Sequence, residues 1–118
     1  MQNKIVFLDA SSLGENNLTD KLQQLGPYPE YQTTRPDEPL SRCKEANIVL
    51  TNKVILDKEI LNALKDTLKL VCITATGMNN VDLQTAKNLG IEVKNVAGYS
   101  TKSVAQHTLM MALALSAK

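Results

Sequence analysis

Aromatic side chains are scarce in this sequence, and no stretch of it carries charge of one sign. The 118 residues include no tryptophan, one phenylalanine and three tyrosines, and the 13 basic residues are scattered among 12 acidic ones. Proteins that bind nucleic acid present a basic surface, and those that hold single strands add stacked aromatic rings. We therefore expect no nucleic-acid partner.

Long apolar runs are also absent. The longest, at 109–115, is far shorter than the roughly 20 residues that cross a bilayer. The N-terminal segment reaches Asp9 before the apolar core of a leader peptide could form. The sequence therefore predicts a cytoplasmic protein without membrane attachment.

Cysteine and histidine are too few and too dispersed for a metal site. Cys43 and Cys72 form no Cys-x-x-Cys motif, and His107 is the only histidine. Two separate cysteines favour reduced thiols over a disulfide framework. No acidic residue beside His107 could orient an imidazole base, which favours a structural or interface role for it.

Apolar segments rich in β-formers alternate with segments of helical spacing along the whole chain. Strands are predicted at 4–9, 28–34, 46–51, 68–74 and just after Gly90, and helices at 16–25, 36–44, 58–65, before Gly90 and at 101–117. This alternation predicts an α/β fold, a doubly wound parallel sheet with helices on both faces. Strand 28–34 is expected to be a weak edge, because Pro29 cannot donate a hydrogen bond to a neighbour.

The predicted helices carry recognisable end signals. Asp57 can cap the helix 58–65, and Asp82 or Asn80 can cap the next helix, which Gly90 closes. The helix 101–117 is apolar on most of its circumference, as a helix buried on all sides would be. One sheet covers only one side of it, so we expect a second domain or a partner chain to cover the rest.

Two polar loops that follow strands are candidates for ligand binding, because open α/β sheets bind ligands at the carboxyl ends of their strands. In the loop 74–80, Gly77 would allow close approach of a carboxylate or phosphate to the backbone, or would take a positive φ. An ordinary turn is the alternative. In the loop 95–100, Tyr99 could offer its hydroxyl to a substrate or simply pack with that hydroxyl in water.

A third loop begins with Asn52 and Lys53. Lys53 could meet an anion there or be an ordinary surface lysine. A phosphoacceptor receiver domain shares this β-α order and would use an acid such as Asp9. Such a domain also needs an aspartate after the third strand. Here that strand ends in Thr51, Asn52 and Lys53, so the phosphoacceptor is absent. A dinucleotide-binding domain is disfavoured because no G-x-G-x-x-G follows any strand.

The run TGMNNVDLQTAKNLGIEVKNVAGYSTKSVAQHT, at 76–108, closely resembles the D-isomer-specific 2-hydroxyacid dehydrogenase family. The shared pattern is G-x-x-N-V-D-L…A…G-I-x-V-x-N…G-Y-S-T-x-S-V-A-Q/E-H, and the glycerate dehydrogenase and hydroxypyruvate reductase branch is the most similar. The resemblance covers the whole chain as the family's N-terminal portion. It implies a flavodoxin-like substrate-binding (catalytic) domain at 1–100 and, at 101–118, a helix that crosses toward a Rossmann domain for NAD or NADP.

The same resemblance implies a reaction and a site. The reaction is reversible hydride transfer between nicotinamide and the C2 carbonyl of a 2-oxo acid. The implied substrate-binding residues are Asn52, Lys53, Thr76, Gly77, Tyr99 and Ser100. Among them, Thr76 and Gly77 match the loop whose amides hold the substrate carboxylate, and Tyr99 and Ser100 match the loop that faces substrate and nicotinamide.

The catalytic Arg, Glu and His of the family lie downstream of the crossing helix, beyond Lys118, and His107 matches a helix motif instead. We therefore expect a fragment without catalytic residues, inactive alone and self-associating through its last helix, of an enzyme that is a homodimer at full length. The alternative is a stand-alone module that binds a small carboxylate or a protein partner.

Overall fold

The computed structural model describes residues 4–13, 27–74 and 77–95. Within these ranges, strands alternate with α-helices, and a 3-10 turn at Ala10–Leu13 follows the first strand. The strands are β1 (Ile5–Phe7), β2 (Ile48–Thr51), β3 (Leu70–Ile73) and β4 (Glu92–Asn95). The helices are α1 (Pro39–Arg42), α2 (Lys58–Leu64) and α3 (Leu83–Leu89).

The strands form one parallel sheet in the order β1-β2-β3-β4, as the alternation predicts. Residues 27–32 extend along the other side of β1. There Phe7 forms an isolated bridge with Glu30, and the Phe7 carbonyl accepts the Tyr31 N–H at 2.9 Å. Pro27 and Pro29 contribute only carbonyls to this edge, so the strand predicted at 28–34 is reduced to a single bridge. Counting this edge segment, the spatial order is the 2-1-3-4-5 of flavodoxin-like sheets.

Both faces of the sheet are buried at β1, β2 and β3, whereas β4 is partly exposed at the edge. Successive side chains of a strand point to opposite faces, so residues in register share a face. One face contributes Val6, Val49 and Val71 to a core cluster that also contains Leu61 and Leu64 of α2 and Ala86 of α3. The opposite face buries Ile5, Phe7, Ile48, Leu50, Leu70 and Cys72. The helices predicted at 16–25 and 101–117 lie outside the described residues.

The helix ends follow their local signals. Asp57 caps α2 by accepting the Ile60 N–H at 3.0 Å, and Asp82 caps α3 by accepting the Thr85 N–H at 3.1 Å. Gly90 closes α3 in the left-handed conformation (φ 76°). The Gly90 N–H donates to the Lys87 carbonyl, and the Ile91 N–H donates to the Ala86 carbonyl, which is the Schellman arrangement.

Helix α1 is a short helix within the predicted segment 36–44. It begins at Pro39, as expected of a residue that fixes φ and has no N–H to leave unpaired. It ends at Arg42 and is followed by a tight turn in which Glu45 takes a positive φ of 66°. No helix among residues 4–13, 27–74 and 77–95 is long and apolar enough to span a membrane.

Candidate functional site

The carboxyl ends of β1 and β2 lie side by side at the point where the chain changes direction across the sheet. From β1 the chain passes to the edge segment 27–32 on one side, and it then returns across β1 to β2 on the other. Such a switch point leaves a crevice outside the strand ends, where open α/β sheets bind ligands. Asp9 follows β1 at this crevice, and Asn52 and Lys53 follow β2.

The carboxylate of Asp9 holds the loop after β2 by its backbone. Its Oδ1 accepts the Asn52 N–H at 2.8 Å, and its Oδ2 accepts the Lys53 N–H at 2.8 Å and that of Asn52 at 3.1 Å. Hydrogen bonds to an ionised acceptor are stronger than neutral ones. Asp9 therefore fixes the first two residues of the loop, although 43 positions separate it from Asn52.

Later residues of the same loop are attached to the segment that precedes α3. The Asn80 amide donates to the Val54 carbonyl at 2.9 Å, and the Asn80 carbonyl accepts the Leu56 N–H at 2.8 Å. Leu56 and Val81 form an isolated parallel bridge. The loop after β2 is therefore held from both sides, by the end of β1 and by residues 80–82.

A cleft of about 240 Å³ opens between the loop after β2 and residues 33–36. Its lining residues are Asp9, Thr33, Thr34, Pro36, Lys53, Val54 and Ile55. The Lys53 side chain is exposed, and no ion pair of its ammonium is present in the described part of the chain. The Lys53 ammonium is free among the described residues, whereas the Asp9 carboxylate of the same cleft binds backbone N–H groups, so the cleft offers a cation to a small organic anion.

A second cleft, of about 500 Å³, lies on the helix side between α1 and the end of α2. Among the described residues of its rim, the carboxylates of Asp37, Glu45 and Asp66 are accompanied by one cation, Lys44. Carboxylates outnumber cations there, which disfavours an anionic ligand. Of the predicted substrate-binding residues that the structure describes, none lines this second cleft, so the cleft at the switch point is the better candidate.

The structure describes three of the six predicted site residues. Asn52 and Lys53 lie together in the loop held by Asp9. Gly77 is exposed, and a Cβ added to it would meet no atom of the described residues within 4 Å. This open space leaves room for a ligand to approach the backbone at Gly77. Thr76, Tyr99 and Ser100 lie outside the described residues.

Sequence reasoning missed the role of Asp9 and the wall formed by Thr33 and Thr34. It treated Asp9 only as a possible phosphoacceptor, whereas its oxygens bind backbone amides. The Thr34 hydroxyl donates to the Leu8 carbonyl at 2.5 Å, which fixes this wall against the end of β1. An acid at the end of one strand and a polar loop after the neighbouring strand were the available signals.

Three titratable groups outside the cleft have pKa values that are shifted by their surroundings. Cys43 and Cys72 are free thiols, as predicted. Both are also buried, and burial raises the pKa of each thiol from 9.0 to about 12. The backbone and side-chain hydrogen bonds from Thr85 hold the pKa of Asp82 below its usual value. Within the described ranges, no three His, Cys, Asp or Glu side chains are grouped so as to hold a metal ion.

Comparison with known proteins identifies close relatives. The family model for the D-isomer specific 2-hydroxyacid dehydrogenase catalytic domain matches residues 5–116. A Haemophilus influenzae protein named for 2-hydroxyacid dehydrogenases is 42% identical over 112 residues, which are 95% of this chain and 35% of that protein. Glycerate dehydrogenase of Methylorubrum extorquens is 37% identical over 120 residues, 98% of this chain and 36% of the enzyme.

A solved structure agrees with these sequence matches. D-lactate dehydrogenase from Aquifex aeolicus, complexed with NAD and lactic acid, superposes with a TM-score of 0.70 at 27% identity, covering 95% of this chain and 33% of the enzyme. The chain thus spans about a third of the length of the curated relatives it matches (35% and 36%).

Proposed function

Because this chain belongs to the D-isomer-specific 2-hydroxyacid dehydrogenase family, matching its catalytic domain over residues 5–116, we propose that it is the substrate-binding part of an NAD(P)-dependent oxidoreductase. The whole enzyme would interconvert a 2-oxo acid and a D-2-hydroxy acid. The observation that carries the proposal is the cleft at the switch point, where Lys53 presents a cation that is free among the described residues. Similarity to a glycerate dehydrogenase supports glycerate and hydroxypyruvate as the substrate class.

We assign substrate binding to the residues that the family resemblance implies, Asn52, Lys53, Thr76, Gly77, Tyr99 and Ser100. In this assignment, the backbone at Thr76 and Gly77 receives the substrate carboxylate. Lys53 adds positive charge to the cleft, and Tyr99 and Ser100 belong to the loop that faces substrate and nicotinamide. These residues bind and orient a small anion, which is the contribution that a protein makes when a cofactor carries the hydride.

The residues of this chain do not fit the dinucleotide itself. Dinucleotide sites place a glycine-rich turn at the end of their first strand, so that the backbone can approach the pyrophosphate. No G-x-G-x-x-G occurs in the 118 residues, so no strand of this chain is followed by such a turn. In the proposed enzyme NAD or NADP is therefore held by another portion of the protein, and the 118-residue chain alone is inactive.

Replacing Gly77 with alanine tests the assignment of the carboxylate site in an enzyme that contains these residues and the cofactor-binding portion. A Cβ at Gly77 meets no atom of the described residues within 4 Å, so Gly77→Ala should leave the melting temperature unchanged. If the substrate carboxylate contacts this backbone, the methyl group blocks its approach, and the KM for hydroxypyruvate should rise about tenfold, the equivalent of about 1.4 kcal/mol.

Gly90→Ala is the matched control for this experiment. Gly90 needs its positive φ of 76° to close α3, so alanine there should lower stability by about 1 kcal/mol. It should leave the KM for hydroxypyruvate unchanged. An unaltered KM in Gly77→Ala would remove Gly77 from the substrate site.

The coding region beyond Lys118 distinguishes this proposal from a stand-alone binding module. An in-frame G-x-G-x-x-G followed by the Arg, Glu and His of the family supports the enzyme, which we expect to be a cytoplasmic homodimer. Absence of these motifs supports the module. Oxidation of NADH by the 118-residue chain with hydroxypyruvate or glyoxylate would contradict its inactivity, and sedimentation of that chain as a single monomeric species would contradict its self-association.

A further inference from the structure

The contact between Asp9 and the loop after β2 brings a negative charge to the cleft that we assign to an anionic substrate. Asp9 and Lys53 line the same cleft. Both carboxylate oxygens of Asp9 accept backbone N–H groups of Asn52 and Lys53, at 2.8 to 3.1 Å. On charge alone, an aspartate here opposes anion binding. The presence of Asp9 is explained if the backbone geometry that Asp9 imposes on the loop matters more for binding than its negative charge.

We propose that Asp9 is a positioning residue for the substrate site, an inference that rests on the function proposed above. By binding the N–H groups of Asn52 and Lys53, Asp9 sets the backbone from which the Lys53 side chain projects into the cleft. The lysine charge sits at the end of a four-carbon stem. The position and direction of the Cα–Cβ bond therefore set the region that the ammonium can reach.

The other contacts of the loop after β2 explain why Asp9 determines the position of Lys53. The Asn80 side chain and main chain hold Val54 and Leu56, the later part of the loop. The Thr51 hydroxyl accepts the Val54 N–H at 3.1 Å. Among the described residues, only Asp9 binds the N–H groups of Asn52 and Lys53. Loss of its carboxylate would free the first residues of the loop and leave the later ones in place.

Asp9→Asn separates the positioning role from a simple charge effect, because the two predict opposite results. Asparagine replaces one of the two accepting oxygens with an NH2 group, which cannot accept, so at least one of the three hydrogen bonds is lost and the rest lose their ionised acceptor. If Asp9 positions Lys53, the KM for hydroxypyruvate rises about tenfold, while the KM for NADH stays the same. If Asp9 were only a nearby charge, its neutralisation would leave the KM for hydroxypyruvate unchanged or lower it.

A double-mutant cycle with Lys53→Met, measured in the full-length enzyme, completes the test. Lys53→Met should raise the KM for hydroxypyruvate, and Asp9→Asn should add little in that background, because the two changes remove one interaction. KM does not depend on the fraction of active enzyme, so it distinguishes positioning from mere loss of folded protein. Asp9→Glu, which displaces the oxygens by one methylene, should also raise KM and serves if Asp9→Asn does not fold.

The outcomes separate this inference from the proposed function. If Lys53→Met raises the KM for hydroxypyruvate but Asp9→Asn and Asp9→Glu do not, the role of Asp9 is overturned and the proposed function stands. Additive effects of Asp9→Asn and Lys53→Met would also overturn it. If the wild-type enzyme does not oxidise NADH with any 2-oxo acid, the proposed function fails, and the inference about Asp9 fails with it.

Discussion

The guanidinium of Arg42 connects α1 to the wall of the cleft. It donates to the Thr33 carbonyl and the Thr34 hydroxyl at 2.7 Å each, and it pairs with Glu38 at 2.9 Å. Its Cζ lies 4.1 Å from the centroid of the Tyr31 ring. Arginine suits this position because its planar fork can serve several acceptors and stack on an aromatic face together.

We predict that Arg42→Ala lowers the free energy of unfolding by about 2 kcal/mol, the scale of a partly buried charge-assisted hydrogen-bond group. Arg42→Lys should recover only part of this loss, because an ammonium cannot reproduce the fork. Urea denaturation measures both variants. Arg35→Ala is the control, since that side chain is 76% exposed and its ion pairs span 3.5 and 3.6 Å, so its effect should be below about 0.5 kcal/mol. Equal losses in Arg35→Ala and Arg42→Ala would contradict the connecting role of Arg42.

Helix α3 depends on Asp82 at its first turn. The carboxylate accepts the N–H of Thr85 at 3.1 Å and its hydroxyl at 2.8 Å. These hydrogen bonds favour the ionised form and lower the pKa of Asp82 in the folded state below the value of 3.8 expected for the unfolded chain. The stabilisation is therefore fully present above pH 3.8 and is lost as the pH falls through the lower folded-state pKa.

The predicted consequence is that Asp82→Ala lowers the melting temperature at pH 6, and that the difference from the wild type shrinks as the pH falls below 3.8. Thermal unfolding followed by circular dichroism across this range measures the effect. Asp66→Ala, an exposed aspartate after α2, should change the melting temperature little at pH 6. A difference for Asp82→Ala that stays constant down to pH 2 would show that the carboxylate charge is not responsible.

At the scale of elements, the sequence predicts best where the determining contact is local. Asp57, Asp82 and Gly90 were identified because a cap contacts residues three to five positions away. The length of the edge strand was overestimated, because its pairing with β1 depends on the carbonyls of Pro27 and Pro29.

In the candidate site, too, residues with a local signal were predicted and contacts between distant parts of the chain were not. Asn52 and Lys53 are predictable as residues at a strand end, whereas their contact with Asp9 joins parts of the chain 43 and 44 positions apart. The wall at Thr33 and Thr34 depends on Arg42 and on the Leu8 carbonyl. Interactions of this kind follow from the assembled sheet and have no local pattern.

At the scale of the molecule, the described residues form an α/β unit in which the parallel sheet has a cysteine on each of its two faces. Cys43 belongs to the core cluster on the side of α1, α2 and α3. Cys72 of β3 pairs with Leu50 and points to the opposite face, because Val71 and Ile73 on either side of it belong to that cluster. Both side chains have no exposed surface. The two thiols therefore report separately on the opening of the two faces.

We predict that a thiol reagent labels Cys43 and Cys72 at the same slow rate at neutral pH. Burial raises the pKa of each thiol to about 12, and the thiolate is the reactive form, so labelling requires unfolding. If both faces belong to one cooperative unit, each rate follows the global unfolding equilibrium and increases with urea in parallel. Single-cysteine variants, Cys43→Ala and Cys72→Ala, allow each rate to be measured alone. Faster labelling of Cys72 with a weaker dependence on urea would mean that its face opens without the rest of the molecule.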